Sequence, residues 1–300
     1  MKLSVFSCWH NRLHDLELSV RSVLDQEGVE FEYVIVDDAS TDGTSDRLAA
    51  ISDPRLRVIR NESNIGFTRS AIRAVTACRG DYVAVHGAGD LSLPGRLAQQ
   101  AAFLDENPEV AVVGTRVDNH DLVTGARRTH DPRRGDMSGI EMKYTHGEVM
   151  FRRDAYERAG GYRSVFHNSQ DIDLWLRMRE IGRLETLDEA FYERRMFADG
   201  IEADAPRKLR QAVFSSLAAH AAAERAAGRR DPVEREGALA LLTQPRTGHY
   251  RHRLRTYLRS LLGQRRFADA RKALDSAPAG LLGIKQLALL LLLRACTRSR

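Results

Sequence analysis

VIVDDASTDGT, residues 34–44, is an apolar run that ends in two carboxylates and then passes through a Ser/Thr/Asp/Gly turn. β-branched residues favour an extended chain, and the small polar residues after them favour a turn that opens a helix. Asp37 and Asp38 therefore fall at the carboxyl end of a strand. The same alternation recurs on either side. Strands are expected at Leu3–Ser7, Tyr33–Val36, Leu56–Arg60 and Tyr82–Val85, with helices at Asp15–Gln26, Thr44–Ile51 and Thr68–Cys78 between them. Leu16, Val20, Val23 and Leu24 recur at helical spacing. Alternating β and α elements imply right-handed crossovers and an α/β fold with a doubly wound, mostly parallel, Rossmann-like sheet. Such sheets bind ligands beyond the carboxyl ends of their strands. The two aspartates face that side, where a carboxylate accepts hydrogen bonds from a ribose hydroxyl or a base N–H. A helix N-cap supplied by Ser40, Thr41 or Asp42 explains one acid of the cluster and leaves another over.

Further along, Pro94 suits a helix start, and Asn107-Pro108 suits its end. Val110–Gly114 reads as a strand, 118–140 as a polar excursion or hairpin, and Glu148–Arg152 as a strand. Asp154–Ala159 is a short helix broken by Gly160-Gly161. Asp171–Ile181 is a helix with Ile172, Trp175, Leu176 and Met178 inward, and strands at Leu184–Leu187 and Phe191–Arg195 follow. Asp171 and Asp173 lie in that helix's first turn, where negative charge suits the dipole. Asp173 is expected to support an arginine such as Arg177. No G-x-G-x-x-G follows the first strand, and no G-x-x-x-x-G-K-[ST] occurs, which counts against dinucleotide oxidoreductases and P-loop enzymes.

Taken in order, the Asn-Arg after the first strand, VDDASTDGT, NIGFTRS, GDYVAV, a Gly/Asp turn, PGRL, GGY and QDIDLWLR resemble the family-2 glycosyltransferases of GT-A fold over about residues 3–200. The resemblance implies an inverting transfer of a sugar from a nucleoside diphosphate donor, a UDP-sugar above all, to a hydroxyl on a glycan or glycolipid. Bacterial polysaccharide or glycolipid assembly is the setting it implies. It places the nucleoside on Asp38, with Asp37 beside it, and brings Arg69 toward the diphosphate. It makes Asp171 the general base, with Gln170 standing where a Glu is usual. Gly161, Gln170 and His146 become candidate acceptor or diphosphate contacts, although a lone histidine is more often structural.

Two departures from the family pattern bear on metal binding. In HGAGDLSLPGRL, residues 86–97, the positions of the two metal-site acids hold Gly87 and Gly89, and only Asp90 remains. Phe197 occupies the place of a histidine found in many members. Mg²⁺ and Mn²⁺ are hard cations held by carboxylates and diphosphate oxygens. Three accounts stay open. Asp90 takes the metal role, or Arg69 and loop N–H groups neutralise the diphosphate without metal, or the chain is a pseudo-enzyme that binds a nucleotide sugar as a scaffold.

The net charge of +5 divides unevenly: residues 203–300 carry +13 and residues 1–202 carry −8. The division suggests a catalytic domain over 1–202 and a basic helical region over 203–300, with helices at 206–227, 233–243, 250–262, 265–275 and 281–294. The basic region suits an anionic membrane surface, and Leu281–Leu293 is too short to span a bilayer but long enough to lie in its interface. No nucleic-acid partner is expected, since no platform of interleaved aromatic and basic residues occurs. Cys8, Cys78 and Cys296 are an odd, scattered set that reads as reduced thiols. With Leu3–Ser7 opening the chain in place of a signal peptide, the expected location is cytoplasmic, peripheral on the inner face of the membrane.

Overall fold

The computed structural model describes residues 2–133, 144–197 and 205–245, with isolated positions between 258 and 271; for 205–209 only the backbone is described. The chain forms two compact units, Met1–Phe197 and Ala198–Arg300.

The first unit is built on one sheet, whose parallel half follows the expected alternation. Strand β1 (Leu3–Trp9) leads through α1 (Leu16–Leu24) to β2 (Phe31–Asp37), then through α2 (Thr44–Ala49) to β3 (Leu56–Arg60). Helix α3 (Phe67–Ala77) returns the chain across β1 to β4 (Tyr82–Val85). The spatial order is β3-β2-β1-β4, all parallel. Successive strands run outward from β1 on one side, and β4 then starts the other side. The topological switch point thus lies between the carboxyl ends of β1 and β4, where this class of sheet opens a crevice. β1 and β2 are buried almost throughout, so their apolar runs are continuous and not alternating.

Beyond β4 the sheet continues β8-β6-β9-β5. β5 is Leu91–Ser92, β6 Val110–Asp121, β7 Arg127–His130, β8 Met150–Arg152 and β9 Arg183–Met196. β8 is antiparallel to both β4 and β6, whereas β6 and β9 run parallel over most of their length. Several sequence expectations need correction here. Val110–Gly114 is only the buried start of a twelve-residue strand whose outer half forms a hairpin with β7. Leu184–Leu187 and Phe191–Arg195 are parts of one strand that bends at β-bulges against β6. Helix α4 (Arg96–Glu106) starts two residues after Pro94, because Gly95 at φ +82° is left-handed and ends the turn before it. Helices α5 (Arg153–Arg158) and α6 (Gln170–Met178) complete the unit.

In the second unit α7 spans Ala205–Ala226. The helix expected over 233–243 is interrupted. α8 (Pro232–Glu236), capped by the Asp231 carboxylate on the Val233 N–H, passes through a 3₁₀ turn at Gly237–Leu239 into α9 (Ala240–Thr243). Gly237 at φ +59° marks the break. The helix expected at 281–294, with its apolar run, lies outside the described residues, as do most of 250–262 and 265–275. Among the described residues no helix is long and apolar enough to cross a membrane.

Candidate active site

Loops at the carboxyl ends of β1, β2 and β4 meet at the switch point, and the VDDASTDGT turn clasps the loop after β1. The Ser40 hydroxyl accepts from the Asn11 N–H at 3.0 Å, Thr44 Oγ1 from the Arg12 N–H at 3.2 Å and Asp42 from the Leu13 N–H at 3.1 Å. In return Asn11 Oδ1 accepts from the Thr41 N–H at 2.8 Å, and the His10 ring donates to the Asp38 carbonyl at 2.8 Å. The polar letters of the motif therefore fix the backbone that carries Arg12. Asp42 also accepts from the Thr44 N–H, satisfying one orphan donor of α2.

Asp37 and Asp38 are both sequestered. Asp37 is fully buried, accepts from the Ser40 N–H and the Ser45 hydroxyl, and lies 3.7 Å from the Arg60 guanidinium. Asp38 is 3% exposed. Its Oδ1 accepts from Asn61 Nδ2 at 2.7 Å and the Ile65 N–H at 2.9 Å, and its Oδ2 from the Gly66 N–H at 2.8 Å. It thereby pins the NESNIG loop and the start of α3 against β2. Of the four acceptor positions of the carboxylate, one on Oδ2 is left for a further donor. Arg69 sits in the first turn of α3 with its side chain exposed.

The β4–α4 loop is pinned from beneath. His86 is buried between Ser19 Oγ at 3.0 Å and Ser92 Oγ at 3.1 Å, and burial pulls its pKa down to about 3, so the ring is neutral. Arg96, from PGRL, is fully buried, donates to the carbonyls of Val85 and Gly147 and to Ser92 Oγ, and stacks 4.7 Å from the centre of the Tyr192 ring. Tyr192 in turn ties the loop to β9: its hydroxyl accepts from the Gly87 N–H at 2.9 Å and donates to Asp90 Oδ2 at 2.7 Å. Asp90 Oδ1 accepts from the Arg195 N–H at 2.9 Å. Burial raises the Asp90 pKa to about 6. Among the described residues no three Asp, Glu, His or Cys side chains gather as a metal-binding group.

The residues of the second cluster divide. Asp173 is buried and held by two arginines: Arg177 one turn on at 2.7 Å, and Arg163 of the GGYR loop. Arg177 also donates to the Gly161 carbonyl at 2.7 Å, fixing the loop before the helix. Gly161 is required by its surroundings, since a Cβ there would lie 2.9 Å from the Tyr156 ring. Asp171 and Gln170, in the first turn of α6, are half-buried. Asp171 is near enough to His146 to favour the protonated ring, but burial is the stronger influence and lowers the His146 pKa. His146 Nε2 shares a 2.7 Å hydrogen bond with the Tyr162 hydroxyl, and its ring packs edge-on against Phe67 at 5.5 Å and lies 6.0 Å from Trp175. A chain of contacts thus runs from Asp38 through Gly66 and Phe67 to His146 and the Asp171 turn. Arg12 and Arg96 lie in the Asn-Arg and PGRL motifs, which gave them no role, and Tyr192 and His86 were not singled out. Each also acts through partners far away in the chain, at the strand ends of the sheet.

The description "Glycosyl transferase family 2" matches residues 4–168. A putative glycosyltransferase of Bacillus subtilis, EpsE, is 36% identical over 209 residues, covering 67% of this chain and 75% of its own. The O-antigen biosynthesis protein RfbC of Myxococcus xanthus is 30% identical over 239 residues, 77% of this chain but 18% of that protein. Two solved structures share the fold. The mannosyltransferase PcManGT of Pyrobaculum calidifontis, in complex with GDP-Man and Mn²⁺, superposes with a TM-score of 0.60 at 20% identity, covering 98% of this chain and 80% of that one. Residues 1–349 of S. aureus TarS, in complex with UDP-GlcNAc, give 0.59 at 16%, covering 91% and 84%.

Proposed function

Because the chain belongs to glycosyltransferase family 2, we propose that it moves a sugar from a nucleoside diphosphate donor to a hydroxyl with inversion at the anomeric carbon. The acceptor is a glycan or glycolipid of polysaccharide assembly, a reading supported by relatives named for that work. Uridine is the base we favour, as the family resemblance implies for Asp38, and guanosine is the alternative. The observation that carries the proposal is a run of contacts linking two differently prepared acids: Asp38 bonds the Gly66 N–H, the next residue Phe67 packs on His146, and Asp171 lies near enough to that histidine to favour its protonated ring. Asp38 holds the loop after β3 and keeps a single acceptor position for a base N–H or ribose hydroxyl. Asp171 stands half-buried in a helix's first turn.

In a direct displacement Asp171 takes the proton of the acceptor hydroxyl as its oxygen bonds to the anomeric carbon. The bond from that carbon to the diphosphate breaks, and its electron pair leaves on the diphosphate. One base and a neutralised leaving group are sufficient, and no glycosyl-enzyme intermediate is formed. His146, kept neutral by burial and tied to Tyr162, positions the Phe67 and α6 surfaces around the reacting sugar. The basic region beyond residue 202 is proposed to hold the protein at an anionic membrane surface on the cytoplasmic side.

Thermal unfolding with a panel of nucleoside diphosphates and nucleotide sugars tests the donor site, because a ligand that binds the folded state raises the melting temperature. Stabilisation by UDP, or by GDP, is the expected result. A melting temperature unmoved by every nucleotide contradicts it. A second reading, a nucleotide-sugar-binding scaffold, is favoured by the glycines at 87 and 89. It predicts the same stabilisation with no release of nucleoside diphosphate from any donor.

A further inference from the structure

A divalent ion, implied by the family resemblance, does not fit the residues at the switch point. A side chain at Gly87 would overlap Asp90 Oδ2 and come within 3.1 Å of the Tyr192 hydroxyl. Gly89 adopts φ +92°, where an acid in its place would be strained. A Cβ there would also stand 3.0 Å from the Phe197 ring and 3.1 Å from Arg12 Cδ. Asp90, the acid that remains, has one oxygen on the Tyr192 hydroxyl and the other on the Arg195 N–H.

At Gly89 the space an acid would need is taken by the Phe197 ring and the Arg12 side chain. The Arg12 guanidinium lies 4.3 Å from the centre of the Phe197 ring, in cation–π geometry. Arg195 approaches the same ring at 5.8 Å while its guanidinium pairs with Asp15 at 2.7 Å. Gly89, Phe197 and Arg12 thus form one packing unit, and the two departures from the metal-binding pattern belong to a single rearrangement. Arg12 is also held in advance, because its N–H bonds Thr44 Oγ1 and its neighbours Asn11 and Leu13 bond Ser40 and Asp42. Its place at the end of β1, facing Gly89 at the end of β4, is the crevice where the doubly wound sheet receives phosphates.

We infer that Arg12, seated on Phe197, is the cation that neutralises the diphosphate leaving group, so that transfer by this chain requires no divalent metal. The inference deepens the proposed donor site and rests on it. A guanidinium offers planar, bidentate donors to phosphate oxygens and remains charged at any working pH, which suits it to this task. Arg69, exposed on α3, lacks such a seat.

Calorimetric titration of the full chain in EDTA with UDP and UMP, and in parallel with GDP and GMP, tests this. The wild type is expected to prefer the diphosphate over the monophosphate, with no gain on replacing EDTA by Mn²⁺ or Mg²⁺. Arg12→Ala is expected to weaken the diphosphate about tenfold or more, as loss of a charged hydrogen-bonding pair does, while leaving the monophosphate unchanged. Arg12→Lys restores part of the preference. If Arg12→Ala fails to fold, Phe197→Leu, which removes the seat, makes the same comparison. A diphosphate preference that appears only with Mn²⁺ or Mg²⁺, or that survives undiminished in Arg12→Ala or Phe197→Leu, overturns the inference and leaves the donor site standing. A wild type that binds neither nucleotide pair overturns the donor site and this inference together.

Discussion

The protein carries two close pairs of aspartates, Asp37 with Asp38 after β2 and Asp171 with Asp173 in α6, and their environments differ. In the first pair both carboxylates are engaged by the fold, and only one acceptor position of Asp38 is left over. Asp37 fastens the turn before α2, and Asp38 fastens the loop before α3. In the second pair only Asp173 is so committed, between Arg163 and Arg177, whereas Asp171 is half-buried at the helix start. An acid surrounded by internal donors shapes a site, and one left partly open at a helix N-terminus is available to take a proton.

The largest effect is expected at Asp171. Asp171→Asn should lower turnover by about 10²–10⁴-fold, the usual worth of a general base. Nucleotide binding and melting temperature should be unchanged, so a matching loss of either breaks the contrast. Asp173→Ala should act on the fold instead. It leaves the buried Arg177 and the part-buried Arg163 without their shared carboxylate, which costs about 3–5 kcal/mol, measured by denaturant unfolding. Asp38→Ala should show both kinds of effect in smaller measure. Stripping acceptors from Asn61 and the Ile65 and Gly66 N–H groups costs on the order of 1–3 kcal/mol for each donor that water does not reach. Nucleotide affinity should fall with it. If Asp38→Ala is stable yet no longer binds nucleotide, the carboxylate is a ligand contact more than a staple.

The smallest effect concerns Asp90. Burial raises its pKa from the ordinary carboxylate value to about 6, so the folded protein holds a proton that the unfolded chain releases. Its contribution to stability is therefore present below about pH 4 and declines as pH rises toward and through 6. Asp90→Asn should flatten that part of the melting-temperature profile between about pH 4 and 7. A wild-type contribution that grows with pH over the same interval contradicts the burial argument.

How much of this was legible depended on how local the cause was. β3 and β4 have the bounds expected for them, and the helices that follow β1, β2 and β3 sit within a few residues of their apolar spacing. The acid pairs stood out because two adjacent charges after an apolar strand, or in one helical turn, are locally conspicuous. The i,i+4 spacing of Asp173 and Arg177 likewise pointed to their pairing. The outer half of β6 was legible only as part of a polar excursion or hairpin over 118–140; the hairpin forms, and Arg116–Asp121 becomes strand through β7 and β9. The two-residue β5 exists only by pairing with β9. Tyr192 reaches Gly87 and Asp90 across about a hundred residues, and Phe197 meets Arg12 across nearly the whole first unit. The sequence showed that the metal acids were missing, but only the folded chain shows the arginine that stands beside their places.

The most direct test of the central claim is the rate of nucleoside diphosphate release from UDP- and GDP-sugars, with water and with bacterial envelope glycans as acceptors, for wild type and Asp171→Asn. Release by the wild type that falls at least a hundredfold in Asp171→Asn, at unchanged nucleotide affinity, is the predicted result. Equal rates in the two proteins, or no release by a wild type that binds the donor, would contradict the assignment of Asp171 as the base of a working glycosyltransferase.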